Sequence, residues 1–468
     1  MTFLTGAARQ GAPPKRAYLA IALLIAAFLF GGGARPDITS LLLLRPLSAA
    51  ALVYALWKYG SLFWQERWLP GLVVAIVLLP VVHLTPLPPA IWSELPGRGV
   101  VADTFRAAGM ALPWQALSMT PIATLNALLS LMLPVAMLLL CFSLDKAQQA
   151  SLLRAVLVVG MLSGLLGLLQ AIGSPNSPLY FYRITNNGMA VGLFANRNHQ
   201  AIFLACLLPL LAAHLSLISA RQETVIFQKT LTIVAAVFLI PLILVTGSRN
   251  GLLLTGLAIP AAFWIYRAPL AVGRGIEMSS VRKLSFSAFV TIGAVMVALL
   301  VFASLRAPAF DRLFTEDVSS DLRWTSFSAL MHAAGELFPF GSGMGSFVEI
   351  YKVYEPYNLL SPNYFNHAHN DYMEIWVTGG LPAILIVLIA AILLLSTLRL
   401  AVRPDQRMSS SRDDLILLRT GVSVLTLLAI ASVGEYPLRT PSLAVFAALA
   451  VGWIVSVYRR AYGQKVPA

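Results

Sequence analysis

A bilayer core takes about 20 apolar residues per spanning helix, and this chain is built almost entirely of runs of that kind. Twelve candidate spans can be read, at roughly 17–34, 38–57, 69–86, 121–143, 152–173, 198–220, 229–247, 250–268, 286–305, 379–398, 414–433 and 439–458. The predicted fold is therefore all-α: a polytopic membrane protein with about twelve transmembrane helices. Composition agrees, with 58% hydrophobic and only 11% charged residues, which excludes a soluble globular enzyme and a disordered chain. Three regions follow: spans one to nine over 1–305, a long polar loop over 306–378, and spans ten to twelve with a C-terminal tail over 379–468. The first run lacks a clear small-residue cleavage site and many spans follow it, so it reads as a helix and not as a signal peptide.

The net charge of +13 is a topology signal first. Lys and Arg in one set of alternate connections, among them Lys15, Arg16, Lys58, Lys146, Arg282, Arg403 and Arg459, outnumber those of the other set by about two to one. That bias predicts both termini in the cytoplasm and leaves no reason to expect nucleic acid as a partner. Cys141 and Cys206 both sit in apolar runs, and their spacing offers neither a metal site nor a disulfide framework.

The 306–378 loop is the largest polar stretch and carries nine acids against four bases. Loops this long in compact proteins are functional or have structure of their own. Apolar spacing predicts short helices over Asp321–Leu337 and Ser346–Tyr354. The other long outer segment, 87–120, holds Trp92, Trp114 and several prolines and reads as partly interfacial.

Charged side chains at the bilayer edge are functional candidates by default. Arg249 lies in Thr246-Gly-Ser-Arg-Asn-Gly251, a connection so short that the guanidinium must sit at the membrane surface. It could grip phosphate through its planar fork of donors or simply snorkel. Arg323, in Asp321-Leu-Arg-Trp324, could do the same or form a surface ion pair with Asp321 or Asp317. In Asn366-His-Ala-His-Asn-Asp-Tyr-Met-Glu374 an imidazole could act as general base, oriented by Asp371 or Glu374. His-x-His followed by carboxylates also admits a zinc reading, though the other histidines are scattered. For His367 alone the alternative is a loop residue with no special role. Arg197 could bind an anion or snorkel, while Asn196 or Asn198 would cap the following helix. Phe338–Gly345 alternates glycines outside any βαβ unit and reads as a tight turn, not a dinucleotide loop.

Four stretches in order resemble the bacterial O-antigen ligase and O-antigen polymerase family. They are Phe194-Ala-Asn-Arg-Asn198, Ser248-Arg-Asn-Gly251, Arg323-Trp324 with Pro339-Phe-Gly-Ser-Gly343, and His369-Asn-Asp-Tyr-Met373 with Gly380. The resemblance covers about residues 190 to 400. It implies a metal-independent, inverting glycosyltransferase of the bacterial inner membrane that needs no cofactor. Its donor would be a glycan on undecaprenyl pyrophosphate. Its acceptor would be a sugar of lipid A-core in a ligase, or another lipid-linked glycan in an O-antigen or exopolysaccharide polymerase. By position, His369 matches the essential histidine, Arg249 and Arg323 the two arginines, and Arg197, Asn198 and Asn370 are expected to contact substrate. Asn250 intervenes where relatives go straight to a small residue, and Gly380-Leu-Pro-Ala383 replaces a Gly-x-x-Gly ending. A secondary transporter or flippase is the competing class, which a cluster of polar groups around Arg45 at mid-membrane would favour. A non-enzymatic scaffold would be favoured if Arg249, Arg323 and His369 stood far apart.

Overall fold

The computed structural model describes residues 15–66, 68–218, 222–266, 325–360, 365–409 and 411–463. The chain opens with helices α1 (Lys15–Phe30), α2 (Leu41–Trp64) and α3 (Leu69–His83). A two-residue strand β1 (Pro86–Leu87) and short helices α4 (Pro89–Trp92) and α5 (Gly99–Ala107) follow, and β2 (Gln115–Ala116) pairs antiparallel with β1. The bundle continues through α6 (Pro121–Ser130), α7 (Met132–Phe142), α8 (Lys146–Ile172), α9 (Arg197–Leu217), α10 (Gln222–Val245) and α11 (Arg249–Tyr266). After residues outside the described set come α12 (Phe327–Glu336), α13 (Phe347–Tyr354), α14 (Asp371–Val402), α15 (Arg412–Ala431) and α16 (Pro441–Tyr462).

Eight helices among the described residues are long and apolar enough to cross a membrane, α6 and α7 counting together as one, and α1 and α3 are shorter apolar helices. The chain is thus a polytopic membrane protein. The ninth expected span, 286–305, lies outside the described residues, as does the loop from 306 to 324. The expected loop helices correspond to α12 and α13. Both cysteines are buried and free.

The central helices α9, α15 and α16 are buried over most of their length, whereas α14 turns Leu385, Leu388, Ile392 and Leu395 outward. Apolar side chains facing out along a helix of this length suit contact with lipid. The two ends of the bundle are chemically different. At one end basic residues tie helix termini together: Arg459 meets Glu66 at 3.2 Å, and Asp414 meets both Lys146 at 3.0 Å and Arg460 at 2.7 Å. The other end, the loop end, gathers 84–120, 173–196, 325–360, 365–370 and the 432–440 connection.

One break matters for the site. Helix α14 is non-helical at Gly380 (φ 59°, ψ −154°), so a first segment over Asp371–Gly379 precedes the apolar part, close to where the sequence predicts the tenth span to begin. The glycine-rich turn docks on this break. Ser342 and Gly343 donate backbone N–H groups to the carbonyls of Val377 and Thr378, and Leu381 donates to Pro339. Gly341, Gly343 and Gly345 have φ of 70°, 110° and 83°, the left-handed region glycine accepts without penalty. A Cβ on Gly380 would lie 2.2 Å from the Pro339 carbonyl oxygen. The buried Arg98 guanidinium clamps the outside of this turn, donating to the carbonyls of Pro96, Leu117 and Gly341 at 2.7–2.9 Å. Burial pulls its pKa down to about 10, still leaving it charged near neutral pH.

Candidate functional site

The N-termini of α9, α11 and α14 converge on the connection between α15 and α16. Asn196 caps α9, its Oδ1 accepting the Asn198 N–H at 2.8 Å. The Asn198 amide then donates to Glu435 Oε1 at 2.5 Å. Gly251, in the first turn of α11, lies against Ala201 of α9, where a Cβ would come within 2.4 Å of the alanine methyl. Asn250 donates to the Ala431 carbonyl at 3.5 Å. Asn370 caps α14, accepting from Tyr372 and Met373 at 3.0 and 3.1 Å, while the Asp371 N–H donates to the Ser432 carbonyl at 2.9 Å. Arg197 and Arg249 are thus the first residues of adjacent helices, in a region where helix dipoles favour anions.

His369 sits directly before the Asn370 cap with φ of 49°, and among the described residues no other non-glycine has positive φ. Such a conformation costs free energy and persists only where its surroundings impose it. Here the Nδ1–H donates to Glu435 Oε2 at 3.3 Å. Glu435 is fully buried and His369 is 21% exposed, so the imidazole is held from behind with one edge open. The sequence reading that Asp371 or Glu374 orients His369 is corrected: neither does. Glu374 instead accepts from His367 Nδ1 at 3.0 Å and pairs with Arg439 at 3.1 Å, and Asp371 pairs with the same guanidinium at 3.0 Å. Burial opposes the Arg439 charge, but Glu374 and Asp371 outweigh it and raise its pKa above the ordinary value.

Tyr436 lies between the two histidine–carboxylate pairs. Its ring is 4.2 Å from His367, 4.9 Å from His369 and 4.8 Å from His199. Burial raises its pKa, so the phenol remains protonated. The two histidines of His-x-His therefore face different carboxylates, and among the described residues no three His, Cys, Asp or Glu side chains are grouped to hold a metal.

Of the expected site residues, the structure brings His369, Asn370, Asn198, Arg197 and Arg249 to the loop end around the 431–440 connection. Arg323 lies outside the described residues. Polar groups concentrate here and not around a mid-membrane Arg45, which is the fifth residue of α2 at the same end of the bundle. Sequence reading singled out none of Glu435, Tyr436 and Arg439 as site residues. The signal was available, because an acid and an arginine in a nine-residue connection between apolar helices meet the same bilayer-edge criterion that singled out Arg249.

Beside this cluster opens an apolar cavity of 1020 Å³. Its loop-end wall includes Asn366, His367, Glu374 and Arg439, and it follows α14 as far as Thr397.

Residues 234–388 match the family model for O-antigen ligase. The matched stretch is about a third of the chain. That stretch contains Arg249, Arg323 and His369, while the Glu435 that holds His369 and the Arg197–Asn198 pair lie outside it. No curated protein matches the chain.

Proposed function

We infer that the protein transfers a glycan from undecaprenyl pyrophosphate to a sugar hydroxyl of lipid A-core, at the periplasmic face of the bacterial inner membrane, with both termini in the cytoplasm. The observation that carries this reading is the His369–Glu435 pair, set where the helices bearing Arg197 and Arg249 begin. With Glu435 accepting the Nδ1 proton, Nε2 is left as the basic nitrogen. It takes the proton from the acceptor hydroxyl as that oxygen bonds to the anomeric carbon. The bond from that carbon to the pyrophosphate oxygen breaks, and the lipid pyrophosphate leaves with the electron pair. One displacement inverts the anomeric centre.

The leaving group gains charge in the transition state, so fixed cations near it are worth more there than in the ground state. Arg249 supplies one guanidinium and the α9 and α11 termini add their dipoles. The resemblance assigns the second guanidinium to Arg323. Asn198 fixes Glu435, Asn370 fixes the turn that carries His369, and Arg197 stands where it would meet the donor. Polymerisation of lipid-linked repeat units uses the same donor chemistry and differs only in the acceptor.

Deletion of the gene followed by glycan analysis tests the reading. Lipid A-core without long chains supports a ligase, and core bearing a single repeat unit supports a polymerase. Intact lipopolysaccharide with a missing exopolysaccharide supports a capsule-type polymerase. No change in any surface glycan overturns the transferase.

A further inference from the structure

Tyr436 carries a buried donor that the proposed transfer does not use. The residue is 5% exposed, and the rings of His199, His367 and His369 close around its own at 4.2–4.9 Å. Its hydroxyl reaches the start of α9, where Asn196 Nδ2 lies 3.4 Å away. The orientation of that amide is fixed, because Asn196 Oδ1 already accepts the Asn198 N–H at 2.8 Å. Nδ2 is therefore the donor, and the phenol oxygen accepts.

Asn366 makes a second bond of the same sense. Burial and the nearby Glu435 charge raise the phenol pKa, while hydrogen bonds from Asn196 and Asn366 oppose the rise. A bond that opposes it favours the phenolate, so it is donated to the oxygen. A phenol has one proton to donate. With two amides donating to the oxygen, that proton has no acceptor among the described residues. The nearby carboxylates are engaged elsewhere: Glu435 accepts from Asn198 and His369, and Glu374 from His367 and Arg439. A buried donor without an acceptor is costly, and in a native protein it marks a group that something else completes.

The position of the hydroxyl names the kind of acceptor. Asn196 is the cap of α9 and Arg197 its first residue, so the phenol stands at a helix N-terminus, where an anion is favoured. A phosphate oxygen accepts a short, charge-assisted bond from such a donor.

We propose that the Tyr436 hydroxyl donates a hydrogen bond to the departing pyrophosphate, alongside Arg249 and the α9 terminus. The proposal deepens the transferase reading and rests on it for the identity of the anion. The phenol keeps its proton throughout. The pyrophosphate leaves with the electron pair, and His369 alone takes the proton of the acceptor hydroxyl. Charge on the leaving oxygens grows in the transition state, so the bond strengthens there. Tyr436 is then a catalytic residue as well as the spacer between the two histidines.

Tyr436→Phe isolates the hydroxyl, since the ring and its three imidazole neighbours stay. The assay uses purified protein in nanodiscs, a glycan on undecaprenyl pyrophosphate and a lipid A-core acceptor. The variant should lose about tenfold or more in kcat, with both KM values and the thermal midpoint near those of the wild type. The pH at which activity falls on the acid side should not move. Combined with Arg249→Lys, the two losses should be less than multiplicative, because both groups hold one pyrophosphate. A wild-type kcat in Tyr436→Phe would overturn the proposal. A shifted acid limb would do so too, since Tyr436 would then act through His369, and so would a raised acceptor KM at unchanged kcat or fully multiplicative losses. If the wild type transfers glycan and Tyr436→Phe does so equally well, this proposal alone falls; if the wild type transfers none, the transferase reading falls with it.

Discussion

The Nδ1 of His369 lies 3.3 Å from the buried Glu435 carboxylate, although 66 residues separate them in the chain. The contact holds the imidazole from one side, and in the proposed mechanism it leaves Nε2 as the base. Glu435→Gln should retain the fold, because the amide still fits between Asn198 and His369, but it should lower kcat about a hundredfold or more with little change in KM. A transfer assay on the purified variant measures both. Near-normal kcat would remove Glu435 from the mechanism.

Arg249 opens α11 beside Asn250, which reaches the carbonyl of Ala431. If its planar fork grips the departing pyrophosphate, Arg249→Lys keeps the charge and loses the two-point contact. Activity should then fall about tenfold or more. Retention of full activity would mark Arg249 as a surface anchor.

Arg439 is shared by Asp371 and Glu374, both buried. Arg439→Leu strands two carboxylates and should cost about 3–5 kcal/mol of stability, read as a lower thermal midpoint in detergent. Arg439→Lys should recover part of the loss. An unchanged midpoint in the leucine variant would show that this network does not hold the end of the bundle.

Gly380 makes the break in α14 at which the glycine-rich turn docks. Gly380→Ala places a methyl 2.2 Å from the Pro339 carbonyl oxygen at a φ of 59°, so the turn must shift. We expect a loss of about 1–3 kcal/mol together with reduced transfer. A variant as stable and active as the wild type would show that the turn adapts freely.

His367 and His369 each face their own carboxylate, and the proposed transfer routes no step through a metal. Transfer by enzyme dialysed against EDTA should therefore equal that of untreated enzyme. Loss of activity restored by zinc would support the His-x-His metal reading instead.

Much of the fold was legible because lipid imposes a simple demand: apolar runs of sufficient length become helices, and those over 41–64, 146–172 and 441–462 do. The capping Asn196 and the glycine turn at 341–345 were legible because their chemistry is local, whereas Asn370, read as a substrate contact, was not seen as the cap of α14 that it forms. The site was half legible. Arg249 and His369 announce themselves as polar groups at the edge of apolar runs. Glu435 and Tyr436 carry the same local signal, but their role depends on tertiary contacts such as Asn198 with Glu435, 237 residues apart. Nothing in sequence spacing distinguishes Asp371, Glu374 and Glu435 as partners for His369; the backbone turn at His369 decides it.

The most direct test is transfer by the purified protein in nanodiscs, supplied with a glycan on undecaprenyl pyrophosphate and a lipid A-core acceptor, comparing the wild type with His369→Ala. The account predicts glycosylated acceptor and released undecaprenyl pyrophosphate from the wild type, and neither from a variant that inserts and folds normally. Transfer by His369→Ala at the wild-type rate would contradict it.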